Sequence, residues 1–372
     1  MEDPVKFNED NSIKYPKCAP EEADAHAWVL PTKDTLEFYT CKYPPLKANE
    51  IKARILYCGL CHTDSMGARD LWYEMARPCC PGHEIIAEVT EVGADCKKRK
   101  VGDIIGVGFG RQSCRECRNY HKGHNPLCIP YGIPGINVFG YEFGGYSTRL
   151  QIEEDYTVSI PDGMDLAKTA PLLCGGITVY RPLRDTVKAG DKVGVVGIGG
   201  LGHMAVQYAS SFGCEVTAFT RTAEKTELIK SLGADHVVVV DKEFKSLQAV
   251  QNEFKAVVYT PHIASKEIID AYLGVTDYNG FFIVVGWPDA NTPLSMSFGS
   301  VIAKQISLVG SLIGNIADHQ EMIDFSAKHK IESIIEEYSF EDLPKAFDKL
   351  ENGKPMFRCV VNIDEYSKKH NL

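Results

Sequence analysis

A chain of 372 residues is longer than one hydrophobic core ordinarily supports, so two domains are expected. Hydrophobic residues at 44% and charged residues at 24% exclude wholesale disorder and fibrous repeats. A net charge of −10 gives no reason to expect nucleic acid or an anionic membrane as partner, so any anion site must be local.

The 13 cysteines accompany no signal-peptide pattern, and no apolar run approaches the roughly 20 residues of a membrane span. Both features point to a cytoplasmic, reducing location, where cysteines act as metal ligands, nucleophiles or core residues.

Residues 1–25 mix charges and prolines without apolar periodicity and predict a loosely held tail. From Ala27 to about Pro161 the chain holds short apolar runs broken by glycine and proline, such as EIKARILYCG, EIIAEVTEVG and VGDIIGVG, which predict a β-rich, barrel-like domain. After Leu166 strand-like runs alternate with helical stretches: KVGVVGIGG, HMAVQYASSFG, EVTAF, KTELIKSLGA, HVVVV, AVVYT and FFIVVG. That rhythm predicts βαβ units on a parallel sheet. The pattern of residues 310–372 fits either an extension of the α/β domain or a return to the first.

Three strings carry a metal hypothesis: Cys58-Gly59-Leu60-Cys61-His62-Thr63-Asp64, Pro81-Gly82-His83-Glu84, and Pro171-Leu172-Leu173-Cys174. Two cysteines and a histidine suit tetrahedral zinc with a fourth place left for water or substrate. Taken singly, a buried cysteine is more often core and a buried histidine more often a satisfied polar group, so the combination carries the argument. Asp64 is placed to accept a hydrogen bond from the second ring nitrogen of His83, fixing its tautomer. Glu84 is either a resting-state ligand or an outer group. A second cluster, Cys114, Cys117 and Cys128 with Tyr120 and His121 between, has the CxxC knuckle of a structural zinc lobe.

Gly197-Ile198-Gly199-Gly200-Leu201-Gly202 sits between the strand KVGVV and the helix HMAVQYA. Glycines permit a tight turn and let backbone approach a pyrophosphate, whose charge sits at a helix N-terminus. An NAD-binding chain would place an acid at the end of the next strand, about 20 residues past the glycines. Here that place holds Thr220, Arg221 and Thr222, with Lys225 close behind, donors suited to a 2′-phosphate and hence to NADP(H).

The order GxxCHTD, PGHE, VGD, CxxC with a later cysteine, PLLCGGITVYRPL and GIGGLGHMAVQYA resembles the cinnamyl alcohol dehydrogenase branch of the zinc-containing medium-chain dehydrogenases, over roughly residues 26 to 365. The resemblance implies an α/β fold class: a GroES-like catalytic domain built from residues 26–172 and 310–372, a Rossmann domain with a doubly wound parallel sheet over 173–309, and a homodimer. It implies that Cys61, His83 and Cys174 hold a catalytic zinc with Glu84 beside them, and that Thr63 exchanges a proton with the substrate. The implied activity is hydride transfer between NADP(H) and a primary alcohol or aldehyde, of aryl or cinnamyl type by analogy. Two departures stand out. Tyr120 occupies the place of a fourth lobe cysteine, leaving a Cys114/Cys117/His121/Cys128 site and a weakened or absent site as alternatives. Met66, where many relatives carry histidine, cannot relay a proton, which leaves His62, water or the cofactor ribose.

Two rival readings use the same features. One is an NADPH-dependent reductase of activated double bonds on this fold, with the metal lost or idle. The other is a non-enzymatic zinc or redox-sensing protein. Trp72, Phe109, Tyr131 and Trp287 are candidate linings of an apolar substrate pocket, although such residues are more often plain core.

Overall fold

The computed structural model describes residues 17–72, 77–111, 113–124, 127–128, 144–263, 265–288, 292–352 and 355–372. Strands β1 (Ala25–Thr32) and β2 (Thr35–Cys41) form an antiparallel pair. Then come β3 (Glu50–Leu60), β4 (Glu84–Val92), β5 (Ile104–Val107), β6 (Arg149–Glu153) and β7 (Val158–Ser159). A second group follows: β8 (Lys192–Val196), β9 (Glu215–Thr220), β10 (His236–Val239), β11 (Phe254–Tyr259), β12 (Thr276–Val284) and β13 (Ser307–Gly310). The last two, β14 (Ile335–Ser339) and β15 (Arg358–Asn362), return to the first sheet, whose order is β14-β15-β3-β4-β5-β7 with β6 also on β3.

The chain divides into two compact units. The first comprises Met1–Cys174, Ile313–Ala327 and Glu332–Leu372; the second comprises Gly175–Leu312 and Lys328–Ile331. Residues 310–372 are thus shared: β14 and β15 pair in the first sheet, while the stretch to Leu312 and Lys328–Ile331 belong to the second unit.

In the first unit β3 is the organising strand. Ile51, Ala53 and Ile55 are fully buried while Lys52 and Arg54 keep partial exposure, the period-two pattern of a strand with one face on the core. Its antiparallel register sets Gly59 opposite Glu84 of β4 and Leu60 opposite Cys359 of β15. The end of β3 and the beginnings of β4 and β15 therefore meet at one place.

In the second unit the six strands run parallel in the order β10-β9-β8-β11-β12-β13. Parallel strands covered on both faces read as continuous apolar runs, as KVGVV and FKAVVY do. Phe219, Phe254, Tyr259, Tyr272 and Phe282 make the aromatic heart of this core. Strand order reverses between β8 and β11, and the loop leaving β8 opens at that topological switch point.

Residues 1–16 lie outside the described residues, but Lys17 bridges Cys41 and the Cys18 N–H donates to the Thr40 carbonyl at 3.0 Å. The Tyr43 N–H reaches Asp24 Oδ1 at 2.9 Å. Residues 17–24 are held because β2 offers them an open edge, a long-range feature that composition does not report.

Candidate active site

Cys61, His83, Glu84 and Cys174 are all buried, and one ligand atom from each lies within 4.8 Å of the others. Sheet register brings three of these elements together. β3 stops at Leu60, and Cys61 is the N-cap of the helix His62–Ala68. Glu84 opens β4 beside it, with His83 one residue before. Gly59 has no room for a side chain, because a Cβ there would lie 2.0 Å from Glu84 Oε2. Cys174 arrives on the short turn Ala170–Leu173, its sulfur 3.9 Å from that of Cys61.

Asp64 ties the first two strings together. At the third position of its helix it completes a capping box, accepting the Cys61 N–H on Oδ2 at 3.0 Å. Oδ1 accepts the Gly82 N–H at 3.0 Å and faces His83 Nδ1 at 3.1 Å, the contact expected from sequence. The Tyr146 hydroxyl donates to Oδ2 at 3.1 Å. With Nδ1–H given to Asp64, His83 presents Nε2 as its ligand atom.

The hydrogen bond from the Cys174 thiol holds Cys61 well below the ordinary thiol range, against burial and with help from His83 and Arg358. Cys174, donating that bond beside a thiolate and fully buried, is held well above it. Burial opposes charge on His83, yet the Asp64 carboxylate and Cys61 raise it well above its usual value. The pocket is thus arranged to keep negative sulfur out of water.

Glu84 Oε1 accepts from Arg358 Nη2, an ion pair with both partners buried. Burial pushes the Glu84 carboxyl up to about 8, although Arg358 pulls it down. Its other oxygen, Oε2, has no hydrogen-bond partner among the described residues. Two thiols, an imidazole and a carboxylate with an unsatisfied buried oxygen fit a divalent zinc-class cation, which would neutralise charge that burial otherwise penalises. Arg358 escaped the sequence reading. Its signal was a cation inside the apolar final strand FRCVVNI, a place that demands a buried partner.

Thr63 is half-buried with its hydroxyl 3.4 Å from Cys61 Sγ. Met66 is buried, and His62 is half-buried at the start of the same helix.

In the second unit, the glycine loop links β8 to the helix Gly202–Ser211. Gly197 has φ +81°, and a Cβ on Gly202 would fall 2.0 Å from the Gly197 carbonyl oxygen, so the loop closes only with glycine at both ends. Thr260 fastens it by donating to the carbonyls of Val196 and Gly197 at 2.9 and 2.7 Å. Space beside Gly199 is open, Gly200 follows it half-buried, and Leu201 caps the helix without a side-chain bond. The loop is a cradle with room and donors for a pyrophosphate. At the end of β9, Thr220 Oγ1 donates to the Thr222 carbonyl at 3.2 Å. Arg221 and Lys225 are exposed, and Arg221 forms no ion pair among the described residues.

Cys114, Cys117 and Cys128 also cluster within 4.8 Å. Burial pushes the Cys128 thiol up to about 12, the Cys114 N–H pulling against it. His121 is not brought into this group. It ends the four-residue helix Arg118–His121, is exposed, and meets Tyr120 edge-on at 5.8 Å. Of the two alternatives for this lobe, a Cys114/Cys117/His121/Cys128 site or a weakened one, the cluster itself gathers the three cysteines without the exposed His121. Of the aromatic candidates, Phe109 is buried and stands edge-on to His83 at 5.4 Å, Trp72 and Trp287 are half-buried, and Tyr131 lies outside the described residues.

Residues 47–162 match the alcohol dehydrogenase GroES-like domain, and residues 200–328 match the zinc-binding dehydrogenase domain. An aldehyde reductase of Escherichia coli, YahK, is 37% identical, the match covering 84% of this chain and 90% of that one. A cinnamyl alcohol dehydrogenase structure from Sorghum bicolor superposes with TM-score 0.82 at 30% identity, over 91% of this chain and 97% of the other. A cinnamyl alcohol dehydrogenase from Helicobacter pylori complexed with NADP(H) superposes with TM-score 0.80 at 32% identity, over 92% and 98%.

Proposed function

Because the chain belongs to the zinc-binding alcohol dehydrogenase family, in its cinnamyl alcohol dehydrogenase-like branch, we propose that it is an NADP(H)-dependent zinc enzyme interconverting a primary alcohol and its aldehyde. The observation that carries this reading is the buried meeting of Cys61, His83, Glu84 and Cys174 around one point. A zinc ion held by these four side chains would supply Lewis-acid chemistry toward the substrate oxygen, and a bound nicotinamide would supply hydride chemistry.

The chain's own residues do the positioning. Asp64 fixes the His83 tautomer and the Cys61 backbone together. Arg358 keeps Glu84 turned by one oxygen, leaving the other for the cation. Thr63 is the proposed proton exchanger for the substrate oxygen, with His62, water or the cofactor ribose carrying the proton on. The loop Gly197–Gly202 holds the pyrophosphate, while Arg221, with Thr220, Thr222 and Lys225, takes the 2′-phosphate.

A second copy of the chain is the proposed partner. β13 is an edge strand of the parallel sheet, and nearby Phe298, Ile302 and Leu308 are 75%, 73% and 43% exposed. An unpaired strand edge flanked by large apolar side chains is satisfied by edge-to-edge association. No described helix is long and apolar enough to cross a membrane; a cytoplasmic location is proposed. An aryl or medium-chain aldehyde is the proposed substrate class, with Phe109 beside His83 as its apolar contact.

The test is zinc content together with NADPH- and NADH-dependent reduction of a small aldehyde panel, before and after chelation. Zinc-dependent, NADPH-preferring reduction supports the reading. Activity indifferent to chelation would sink it in favour of a double-bond reductase.

A further inference from the structure

The lobe between Cys114 and Cys128 departs from the four-cysteine pattern of the family, and what remains is a different kind of site. The Cys117 and Cys128 sulfurs are 4.0 Å apart, with Cys114 Sγ in the same group. Two of the three sulfurs face backbone donors: the Cys117 N–H points at Cys114 Sγ at 3.2 Å, and the Cys114 N–H at Cys128 Sγ at 3.2 Å. A neutral thiol is a weak acceptor, whereas a thiolate gains from N–H groups aimed at it. Arg115, at φ +61°, makes the reversal that aims them. Three sulfurs gathered at one point, two of them faced by backbone N–H groups, have the arrangement of ligands around a single cation.

The protein does not complete a tetrahedral set from sulfur or nitrogen. All 13 cysteines and 11 histidines of the chain are among the described residues, and none beyond these three joins the group. Residue 120 is the third of the helix capped by Cys117, the place where the family's four-cysteine pattern has its remaining cysteine. Tyrosine puts a ring there, with its hydroxyl far from the Cβ, so it cannot take the place of a sulfur carried on the Cβ itself.

We infer that Cys114, Cys117 and Cys128 form a three-thiolate site for one soft divalent ion of the zinc and cadmium class, with its fourth coordination position open to a small exchangeable ligand from solvent, water or a monothiol. Zinc sites closed by four protein ligands are structural, while those with three keep an exchangeable place. The lobe therefore holds its ion in exchange with the medium and is the first to release it. None of these residues takes part in hydride transfer, so the inference stands or falls apart from the proposed activity.

The full-length protein is to be loaded with cadmium and its metal release to a chromophoric chelator followed over time, alongside Cys128→Ser, Cys174→Ser and Tyr120→Cys. Two release phases are expected. The faster should vanish in Cys128→Ser, persist in Cys174→Ser, and slow by about tenfold or more in Tyr120→Cys, which adds a sulfur rather than removing one. A small monothiol should shift the cadmium–thiolate absorption of the wild-type protein and leave Tyr120→Cys unmoved. A fast phase indifferent to both Tyr120→Cys and the monothiol would mean a closed site and overturn the inference. So would release that is lost with Cys174→Ser alone.

Discussion

Asp64 stands with one carboxylate oxygen 3.1 Å from His83 Nδ1 and the other 3.0 Å from the Cys61 N–H, so a single buried side chain sets two ligand positions at once. Asparagine offers one acceptor oxygen and turns an NH2 group toward donors. Asp64→Asn is expected to weaken zinc retention about 10- to 100-fold, read by competition with a chelator of known affinity. Retention equal to wild type would show that the carboxylate does not orient the ligands.

Arg358 and Glu84 form a buried pair whose members cannot be separated cheaply. Arg358→Ala leaves a buried carboxylate without its ion-pair partner, at a cost of about 3–5 kcal/mol. The denaturation midpoint should fall accordingly, and Glu84→Gln in the same chain should restore part of the loss by removing the orphaned charge. An undiminished midpoint in Arg358→Ala would count against a structural role for the pair.

Arg221, exposed at the end of β9, is expected to read the 2′-phosphate. A charge-assisted contact contributes about 1.5–3 kcal/mol, so Arg221→Ala should lower kcat/KM for NADPH by roughly 10- to 100-fold and leave NADH nearly unchanged. Equal losses with both cofactors would assign Arg221 to some other task.

Gly202 has the Gly197 carbonyl where a side chain would begin. Gly202→Val should abolish NADPH binding, read by quenching of protein fluorescence, while zinc content stays at the wild-type level, because the metal ligands belong to the other unit. Undisturbed NADPH binding would mean that the loop is not the cradle.

Residues close in sequence made much of this site legible. Gly197–Gly202 lies between one strand and one helix, so spacing alone exposes its geometry. Cys61 and Asp64 share a helical turn, and their relation follows from capping. His121 shows the limit even of local reading: its ligand chemistry is right, but the turn begun by Cys117 points it outward, and only coordinates reveal that.

Arg358 shows the larger limit. Nothing within its own strand names Glu84 as partner; the pairing arises because β15 and β4 both lie against β3, with Cys359 facing Leu60 and Glu84 facing Gly59. Tyr146 reaches Asp64, and residues 332–372 rejoin the first unit, for the same reason. Periodicity, glycine spacing and ligand chemistry are properties of neighbouring residues, so the order of residues alone carried the family and the fold class. Which distant groups neutralise a buried charge, and which nominal ligand is left outside, depended on strand register, because burial decides whether a polar group must find a partner and register decides which one is within reach.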